Sequence, residues 1–326
     1  MNNLSIEDLY QGILQGNRAI LSKAITFAES TLDEHQEMIS TVLEKLVAHT
    51  GNSLRIGITG IPGVGKSTLI EVFGLYLIKL GKKVAVLAVD PSSVVSKGSI
   101  LGDKTRMEEL ARQKNAFIRP TPAGEKLGGV AKSTYETILL CEAAGFDVIL
   151  IETVGVGQSE TLVFDITDLF LFLQLPNSGD ELQGIKRGIM ERADLVFINK
   201  VDEQNKHLAK ELKVNLTNAI QFLPQKENGW KTKIIEGSAL ENIGIEKLWE
   251  VVEEYFLFVK VNNWFQKKRD NQLLLQCETY LKDNLFLHLI KIPFFKEKQQ
   301  QIFDKVKNQK LISYMEIHKL ISTFLQ

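Results

Sequence analysis

The chain has 326 residues, of which 44% are hydrophobic and 24% charged, proportions typical of a globular protein with one large core or two smaller ones. Its 39 Lys and Arg nearly balance its 40 Asp and Glu, and the net charge of −1 excludes a general attraction to nucleic acid or to an anionic membrane. The longest apolar run, residues 169–175, is far too short to cross a bilayer, and the amino terminus lacks the basic and apolar stretches of a secretion signal. We therefore expect a cytoplasmic protein that binds neither nucleic acid nor membrane.

Residues 1–52 are predicted to form a helical extension. Ser5 is a favoured helix cap, and apolar residues that recur on one face predict a helix that begins there and that Gly16 can interrupt. Thr31 is followed three residues later by Glu34, which is the spacing of a capping box and predicts the start of a second helix. Because this helical pair precedes the first strand, it is an addition to the core of the fold.

Strands and helices alternate from residue 54 onward, within a predicted domain of residues 53–262. Several of the strands are continuous apolar runs, which indicates that both of their faces are buried. This pattern predicts a doubly wound α/β fold, in which helices wrap a mostly parallel sheet and ligands bind beyond the carboxyl ends of the strands. The predicted strands cover residues 55–59, 84–89, 116–119, 148–152, 169–175, 195–199 and 233–236.

A glycine-rich loop joins the first predicted strand to a helix over residues 66–80. Its sequence has the G-x-x-x-x-G-K-[ST] spacing of a phosphate-binding loop, and the strand and helix around it make a chance glycine turn a poor explanation. Glycines let the backbone point several N–H groups at one anion, Lys66 can reach the β- and γ-phosphates, and the Ser67 hydroxyl can ligate Mg²⁺. The predicted nucleotide-binding residues of this loop are Gly60, Ile61, Pro62, Gly63, Val64, Gly65, Lys66, Ser67 and Thr68.

Three acidic residues lie at or beyond the ends of later strands. Asp90 follows the second predicted strand, Asp103 lies in the segment after it, and Glu152 closes the fourth strand. A carboxylate that faces a phosphate loop can bind Mg²⁺ or orient an attacking water, although Asp90 before a proline can simply end a strand and Asp103 can cap a helix. Beyond Glu152, the Gly155 N–H can bond the γ-phosphate. We therefore predict a loop that is ordered by the third phosphate and released on hydrolysis.

Residues 174–188 connect a buried strand to a helix and carry proline, glycine and charges of both signs. One interpretation is a plain loop in which Asp180 caps the following helix. The other is a mobile element near the nucleotide that reports its state to a partner protein. The composition of the segment is compatible with both.

The sixth predicted strand ends in the pattern N-K-V-D, residues 199–202. The two oxygens of the Asp202 carboxylate match the N1–H and N2–H₂ donors of guanine, a donor pair that adenine lacks. The Lys200 stem can lie across the base, and Asn199 can tie neighbouring loops together. The backbone N–H groups predicted to contact guanine O6, if their segment is more than a helix cap, are those of Ser238, Ala239 and Leu240.

Residues 263–326 are predicted to form a helical arm. A charged run at residues 267–270 is interpreted as a linker, and amphipathic stretches predict further helices with a break at Pro293. These helices are short and rich in Leu, Ile and Phe, and too little surface remains for them to fold alone. We therefore expect the arm to pack on the core or on a second subunit.

Six of these segments together resemble the MeaB/ArgK family of P-loop GTPases, which includes the methylmalonic aciduria type A protein. The segments are GIPGVGKST (60–68), AVDPSS (88–93), GSILGDKTRM (98–107), ETVGVGQSE (152–160), QLPNSGDELQGIKRG (174–188) and NKVD (199–202). The second, fourth and fifth are far more specific than a generic phosphate-binding loop. The resemblance extends over nearly the whole chain, including the helical extensions.

The resemblance implies a homodimeric GTPase that acts as a chaperone of an adenosylcobalamin-dependent acyl-CoA mutase, typically methylmalonyl-CoA mutase. Such a protein gates cofactor loading and protects the mutase from inactivation. Residues 174–188 would be a third switch that contacts the mutase, and the carboxyl-terminal helices would carry dimerisation. By the same resemblance, the residues around Mg²⁺ are Ser67, Asp90, Asp103 and Glu152, and the catalytic residues are Lys66, Asp90, Asp103 and Glu152.

Two alternative functions make different demands on the sequence. A nickel metallochaperone GTPase is expected to carry a His-rich tail or paired Cys ligands, but the five His are scattered. An ATP-using small-molecule kinase predicts a preference for ATP, against which the N-K-V-D pattern argues.

Small Ras-like GTPases have Asp where this chain has Glu152, and Gln158 is not adjacent to Gly155, so Gln158 is not assigned as the group that orients water.

Overall fold

A computed structural model of the chain describes residues 4–90, 107–122, 127–153, 159–176, 187–309 and 314–324. The chain divides into two compact units, Met1–Gln272 and Leu273–Gln326. None of the helices within the described ranges combines the length and hydrophobicity of a membrane-spanning segment. The first unit contains the sheet and all of the predicted nucleotide motifs.

Seven parallel strands form the sheet of the first unit, in the order β3-β2-β4-β1-β5-β6-β7. This order confirms the predicted doubly wound α/β fold. Because all strands run in one direction, their carboxyl ends share one edge, and that of β1 lies between those of β4 and β5. The strands are β1 (Leu54–Gly60), β2 (Val84–Asp90), β3 (Ala116–Pro122), β4 (Val148–Thr153), β5 (Leu169–Gln174), β6 (Leu195–Ile198) and β7 (Lys233–Glu236).

Helices cover both faces of this sheet. One hydrophobic core unites the sheet with α4 and α10, and a second core unites the other face with α6, α7 and the amino-terminal helices. The predicted amino-terminal extension is thus part of the first unit. The described helices are α1 (Ile6–Leu14), α2 (Arg18–Ala28), α3 (Asp33–Leu46), α4 (Lys66–Lys79), α5 (Glu108–Ala111), α6 (Leu127–Ala143), α7 (Ser159–Ile166), α8 (Arg187–Arg192), α9 (Lys206–Gln221), α10 (Ile245–Val261), α11 (Trp264–Lys291), α12 (Pro293–Gln309) and α13 (Tyr314–Phe324).

The amino-terminal helices follow the prediction at one point and differ from it at another. Gly16, with φ +68°, separates α1 from α2, which confirms the predicted interruption. The capping box predicted at Thr31 is wrong, because α3 is preceded by Leu32, which makes no side-chain capping bond. Instead, the Gln36 side-chain amide donates to the Ser30 carbonyl at 2.7 Å. The turn between α2 and α3 is therefore fixed by a side chain that reaches back, not by a local cap.

The carboxyl-terminal helices correct the interpretation of the charged run at residues 267–270. This run lies inside the single helix α11, and Arg269 within it is buried, so it is not a linker. The predicted break at Pro293 is confirmed, since α12 begins at that residue, where a missing N–H costs nothing. In the second unit, α12 and α13 pack on each other.

Three aspartates secure the amino edge of the sheet, opposite the predicted nucleotide site. Each comes directly before a strand, and its carboxylate accepts the N–H of a residue at the start of the neighbouring strand or, for Lys83, directly before it. Each of these bonds fixes the register of a strand pair and satisfies an N–H that would otherwise lack a partner. The pairs are Asp147 with Lys83 at 2.7 Å, Asp168 with Arg55 at 2.8 Å and Asp194 with Phe170 at 3.0 Å.

Candidate functional site

The predicted phosphate-binding loop connects the end of β1 to the start of α4 at the carboxyl edge of the sheet. Gly65 has φ +94°, in the region that favours glycine. A Cβ added to Gly65 would lie 2.6 Å from Nδ2 of Asn199, which belongs to the N-K-V-D segment. The glycine is therefore needed for its backbone conformation and for the close approach of a second motif.

Lys66 points back into this loop. Its Nζ donates to the Gly60 carbonyl at 2.8 Å and to the Ile61 carbonyl at 3.4 Å, and the residue is only 8% exposed. Burial lowers the pKa of the Lys66 ammonium, and the nearby carboxylates of Glu152 and Glu160 oppose that shift. An ammonium held by neutral carbonyls can exchange them for phosphate oxygens, which form stronger, charge-assisted bonds.

Ser67 and Glu152 come together beside the loop. The Ser67 hydroxyl donates to Oε1 of Glu152 at 3.1 Å, and Glu152 is only 5% exposed. Hydroxyl and carboxylate oxygens are the hard ligands that Mg²⁺ prefers, so this pair fits the predicted metal site. Of the other predicted ligands, Asp90 ends β2 but its side chain lies outside the description, as do Asp103 and the switch residue Gly155.

Asn199 links three parts of the site. Its side-chain Nδ2 donates to the Val64 carbonyl at 2.8 Å, and its Oδ1 accepts the Ala239 N–H at 2.9 Å. Its backbone N–H donates to the Gln174 carbonyl at 2.8 Å. The prediction that Asn199 ties the loops together is confirmed, and the buried side chain holds the phosphate loop and the 238–240 segment at fixed separation.

Lys200 and Asp202 lie at the surface beyond this link. Lys200 has φ +62°, and its Nζ donates to the Gly63 carbonyl at 2.7 Å, so its stem crosses toward the phosphate loop. The Oδ1 atom of Asp202 accepts the N–H groups of Gln204 and Asn205 at 2.9 and 3.0 Å. These bonds orient the carboxylate before any base is bound, while the Lys200 stem is held where a ring could stack on it.

The segment after β7 offers fewer free donors than predicted. The Ser238 N–H donates to the Ile243 carbonyl at 3.0 Å, and the Ala239 N–H is taken by Asn199. Within the ranges that the structure describes, the Leu240 N–H has no such partner, and its side chain is 86% exposed. Of the three predicted N–H groups, that of Leu240 is the one left to bind a ligand atom.

Two residues of the site received no role from the sequence. Asn205 closes the N-K-V-D loop, because its side chain donates to the Lys200 carbonyl at 2.9 Å and accepts the Asp202 N–H at 2.9 Å. An Asn three residues after an Asp is a turn signal that could have identified it. Glu160 is buried in the first turn of α7 and acts electrostatically on Lys66. Only its place after the ETVGVGQ segment marks it in the sequence.

The chain matches known proteins in sequence and in fold. Residues 21–293 match the family model described as methylmalonyl-CoA mutase-associated GTPase MeaB. The chain is 41% identical to the GTPase ArgK of Escherichia coli, over 100% of this chain and 98% of that one. It is 42% identical to the mitochondrial methylmalonic aciduria type A homolog of Mus musculus, over 90% of this chain and 73% of that one. A crystal structure of an LAO/AO transport system kinase superimposes with a TM-score of 0.78 at 35% identity, covering 100% of this chain and 99% of that one.

Proposed function

The chain belongs to the family of methylmalonyl-CoA mutase-associated GTPases and hydrolyses GTP to GDP and phosphate, and we propose that it serves as a chaperone of an adenosylcobalamin-dependent acyl-CoA mutase. In this role it gates cofactor loading and protects the mutase, with methylmalonyl-CoA mutase as the first candidate. The support is the family description and the name of the mouse relative. The bridge that Asn199 makes between the phosphate loop and the 238–240 segment carries the nucleotide part of the proposal.

The phosphate end of the site is assigned to the loop and its acidic neighbours. In this assignment the loop N–H groups and Lys66 bind the β- and γ-phosphates, and Ser67 and Glu152 hold Mg²⁺, which neutralises charge on those phosphates. Asp90 and Asp103 complete the metal shell in the proposal. The proposed catalytic contribution of the protein is positioning and charge stabilisation, because phosphoryl transfer asks little covalent chemistry of it.

Guanine selection is assigned to Asp202. Its carboxylate is pre-oriented by backbone bonds, and it can accept both guanine donors, whereas adenine offers no matching pair. Asp202→Asn removes one acceptor and adds a donor, and we expect GTP affinity to fall by about 10- to 100-fold, as for the loss of one bidentate base contact. Xanthosine triphosphate carries a carbonyl acceptor at C2, where guanine has the N2 amino group, so the Asp202→Asn variant should bind it more tightly than the unmodified chain does.

Competition calorimetry with GTP, ATP and xanthosine triphosphate tests this assignment. Asp283→Asn, an exposed aspartate in the second unit, is the matched control and should change no affinity. Equal binding of GTP and ATP by the unmodified chain would instead favour an ATP-using kinase.

Signalling to the mutase is assigned to two segments. The Gly155 N–H would sense the γ-phosphate, and residues 174–188 would contact the mutase. Residues 263–326 are proposed to carry homodimerisation. Slow intrinsic hydrolysis that the mutase accelerates is the expected behaviour, measured as phosphate release with and without purified methylmalonyl-CoA mutase and its cofactor. Comparable rates in both conditions would contradict the chaperone role while leaving GTP hydrolysis intact.

A further inference from the structure

We refer to the first turns of α11, residues 264–272, as the helix root. Although this stretch is rich in charge, buried polar contacts hold it against the amino edge of the sheet. The Arg269 guanidinium bonds the Asp168 carboxylate at 2.7 Å, the Glu142 carboxylate at 3.1 Å and the Ser53 carbonyl at 2.8 Å. The Gln272 side-chain amide donates to the Thr167 carbonyl at 2.7 Å. All these groups are buried, so the helix root is fixed to the core by charge pairs and hydrogen bonds that water does not screen.

A second contact of the helix root passes through an aromatic ring. Phe164 lies near the end of α7, and its ring has a cation on each of two neighbouring elements. The Arg192 guanidinium, at the end of α8, is 4.9 Å from the ring centroid, and the Lys268 ammonium of the helix root is 4.8 Å from it. Lys268 also donates to the Asp168 carbonyl at 2.9 Å. The ring therefore joins α7, α8 and the helix root in one cluster.

Helices α7 and α8 both begin next to predicted switch segments. Helix α7 begins directly after residues 154–158, which contain the predicted γ-phosphate sensor Gly155. Helix α8 begins within the predicted partner segment, residues 174–188, and ends at Arg192. The helix root thus contacts the far end of α7 directly and is linked to the far end of α8 through the Phe164 ring, and the near ends of both helices adjoin the predicted switches.

We propose that the helix root is the element that follows the nucleotide state: Phe164, held between Arg192 and Lys268, couples movements of α7 and α8 to α11. This inference rests on the proposed switching of the loop around Gly155. A shift of α7 or α8 separates a cation from the Phe164 ring unless the helix root responds to it. Because the buried ion pairs of Arg269 hold the helix root at the amino edge, we expect this response as a change in the local stability of α11 and not as a displacement of the whole helix.

A purely structural role for the cluster makes a different prediction. A cluster that only stabilises the fold would lower the unfolding temperature when altered but would not change how α11 responds to nucleotide. Coupling requires that two nucleotide states differ in free energy at the cluster, and that its removal reduce the response of α11 specifically. Hydrogen exchange measured helix by helix separates the two roles.

The experiment compares amide exchange in the full chain loaded with GDP and with a non-hydrolysable GTP analogue. For the unmodified chain, we expect exchange in α11 to differ by at least about fivefold between the nucleotides, the lower end of common coupling strengths. Phe164→Leu keeps an apolar side chain and removes the π face, and Lys268→Met keeps the stem and removes the charge. In both variants the difference in α11 should fall below about twofold, while α7 keeps its own response.

Lys260→Met is the matched control, because the Lys260 ammonium lies 5.5 Å from the Phe265 ring centroid and makes the same kind of contact without α7 or α8. It should leave the full response of α11 unchanged. Thermal unfolding with each nucleotide shows that all three variants are folded.

Three results would overturn the inference. If α7 responds to nucleotide in the unmodified chain and α11 does not, the coupling is absent although the switching stands. If α7 does not respond either, the inference and the proposed switching both fail. If Phe164→Leu and Lys268→Met keep the full α11 response, the cluster only stabilises the fold.

Discussion

The two edges of the sheet bind their polar groups in opposite ways. At the amino edge, charged side chains pair with one another in buried surroundings, as in the contacts of Arg55 and Arg269 with Glu142. At the carboxyl edge, Lys66 and Lys200 bond only neutral backbone carbonyls of the phosphate loop among the described residues. One edge is complete within the protein, whereas the other presents cations whose partners a more strongly charged ligand can replace.

This difference shows how one sheet separates stability from binding. A buried pair is costly to break, because removal of one partner leaves the other charge without compensation. A lysine held by carbonyls exchanges weaker bonds for stronger, charge-assisted ones when phosphate binds, so the exchange contributes to the free energy of binding. We therefore expect substitutions at the amino edge to lower stability and those at the carboxyl edge to lower nucleotide affinity.

The largest effect is expected at Arg269. Arg269→Met removes the shared partner of Asp168 and Glu142 while keeping most of the apolar stem, and the loss of one member of a buried ion pair costs about 3–5 kcal/mol. Urea denaturation of the full chain, followed by circular dichroism, measures the change in the free energy of unfolding. Arg112→Met is the control, because Arg112 and Glu108 form an exposed pair that contributes about 0–1 kcal/mol. Equal losses of stability in the two variants would mean that the buried ion pairs of the amino edge contribute no more than an exposed pair.

The next effect is expected in binding, at Gly65. Gly65→Ala places a methyl group where Asn199 Nδ2 now lies 2.6 Å away and also strains a residue at φ +94°. We expect GTP affinity to fall about 100-fold, equivalent to about 3 kcal/mol, because the Asn199 bridge must move. Calorimetric titration with GDP and a GTP analogue measures this loss.

Gly81→Ala isolates the strain from the steric contact. Gly81 has φ +81°, and its added Cβ would meet nothing within 4 Å. This variant should lose about 1–2 kcal/mol of stability from the left-handed conformation and keep its nucleotide affinity. A similar loss of affinity in both variants would mean that backbone strain, not the contact with Asn199, controls the site.

Glu136, a buried carboxylate in α6, shows how incomplete pairing affects a pKa. Glu136 is 3.5 Å from Lys132, but its Oε2 atom is buried without a hydrogen-bond partner among the described residues. Burial raises the pKa of Glu136 to about 7, only partly offset by Lys132, whereas the ordinary value is 4.5. Between these two values the folded chain binds more protons than the unfolded chain, so the free energy of unfolding falls as the pH rises through this window.

Glu136→Gln should remove this dependence and raise stability above pH 7 by about 1–3 kcal/mol, with the upper value set by the full pKa shift. Denaturation at pH 5 and pH 8 measures it, with the exposed Glu34→Gln as control. An unchanged slope in Glu136→Gln would show that another group titrates.

The sequence was most informative where local spacing determines the chemistry. The phosphate loop, the Asn199 tie and the parallel strands follow from glycine spacing, strand ends and continuous apolar runs, and the structure agrees. It was least informative where a distant partner decides the structure. The charged run at residues 267–270 suggested a linker, because its pairing with Asp168 and Glu142 joins residues about a hundred positions apart in the chain. Thr31 failed as a cap for a different, local reason, since the Gln36 side chain supplies a bond of that turn from only six residues beyond Ser30.

The smallest expected effect on stability is that of Tyr255→Phe, which removes a neutral hydrogen bond at the amino edge and leaves its charge pairs in place. The Tyr255 hydroxyl donates to the Asp168 carbonyl at 2.9 Å in buried surroundings, and Lys268 donates to the same carbonyl at 2.9 Å. Tyr255→Phe leaves that carbonyl satisfied by Lys268, so the cost should be that of one neutral bond, about 1 kcal/mol. Urea denaturation should therefore place Tyr255→Phe well below Arg269→Met, with GDP affinity unchanged within about twofold. A loss as large as that of Arg269→Met would mean that packing around Asp168, rather than paired charge, gives the amino edge its stability.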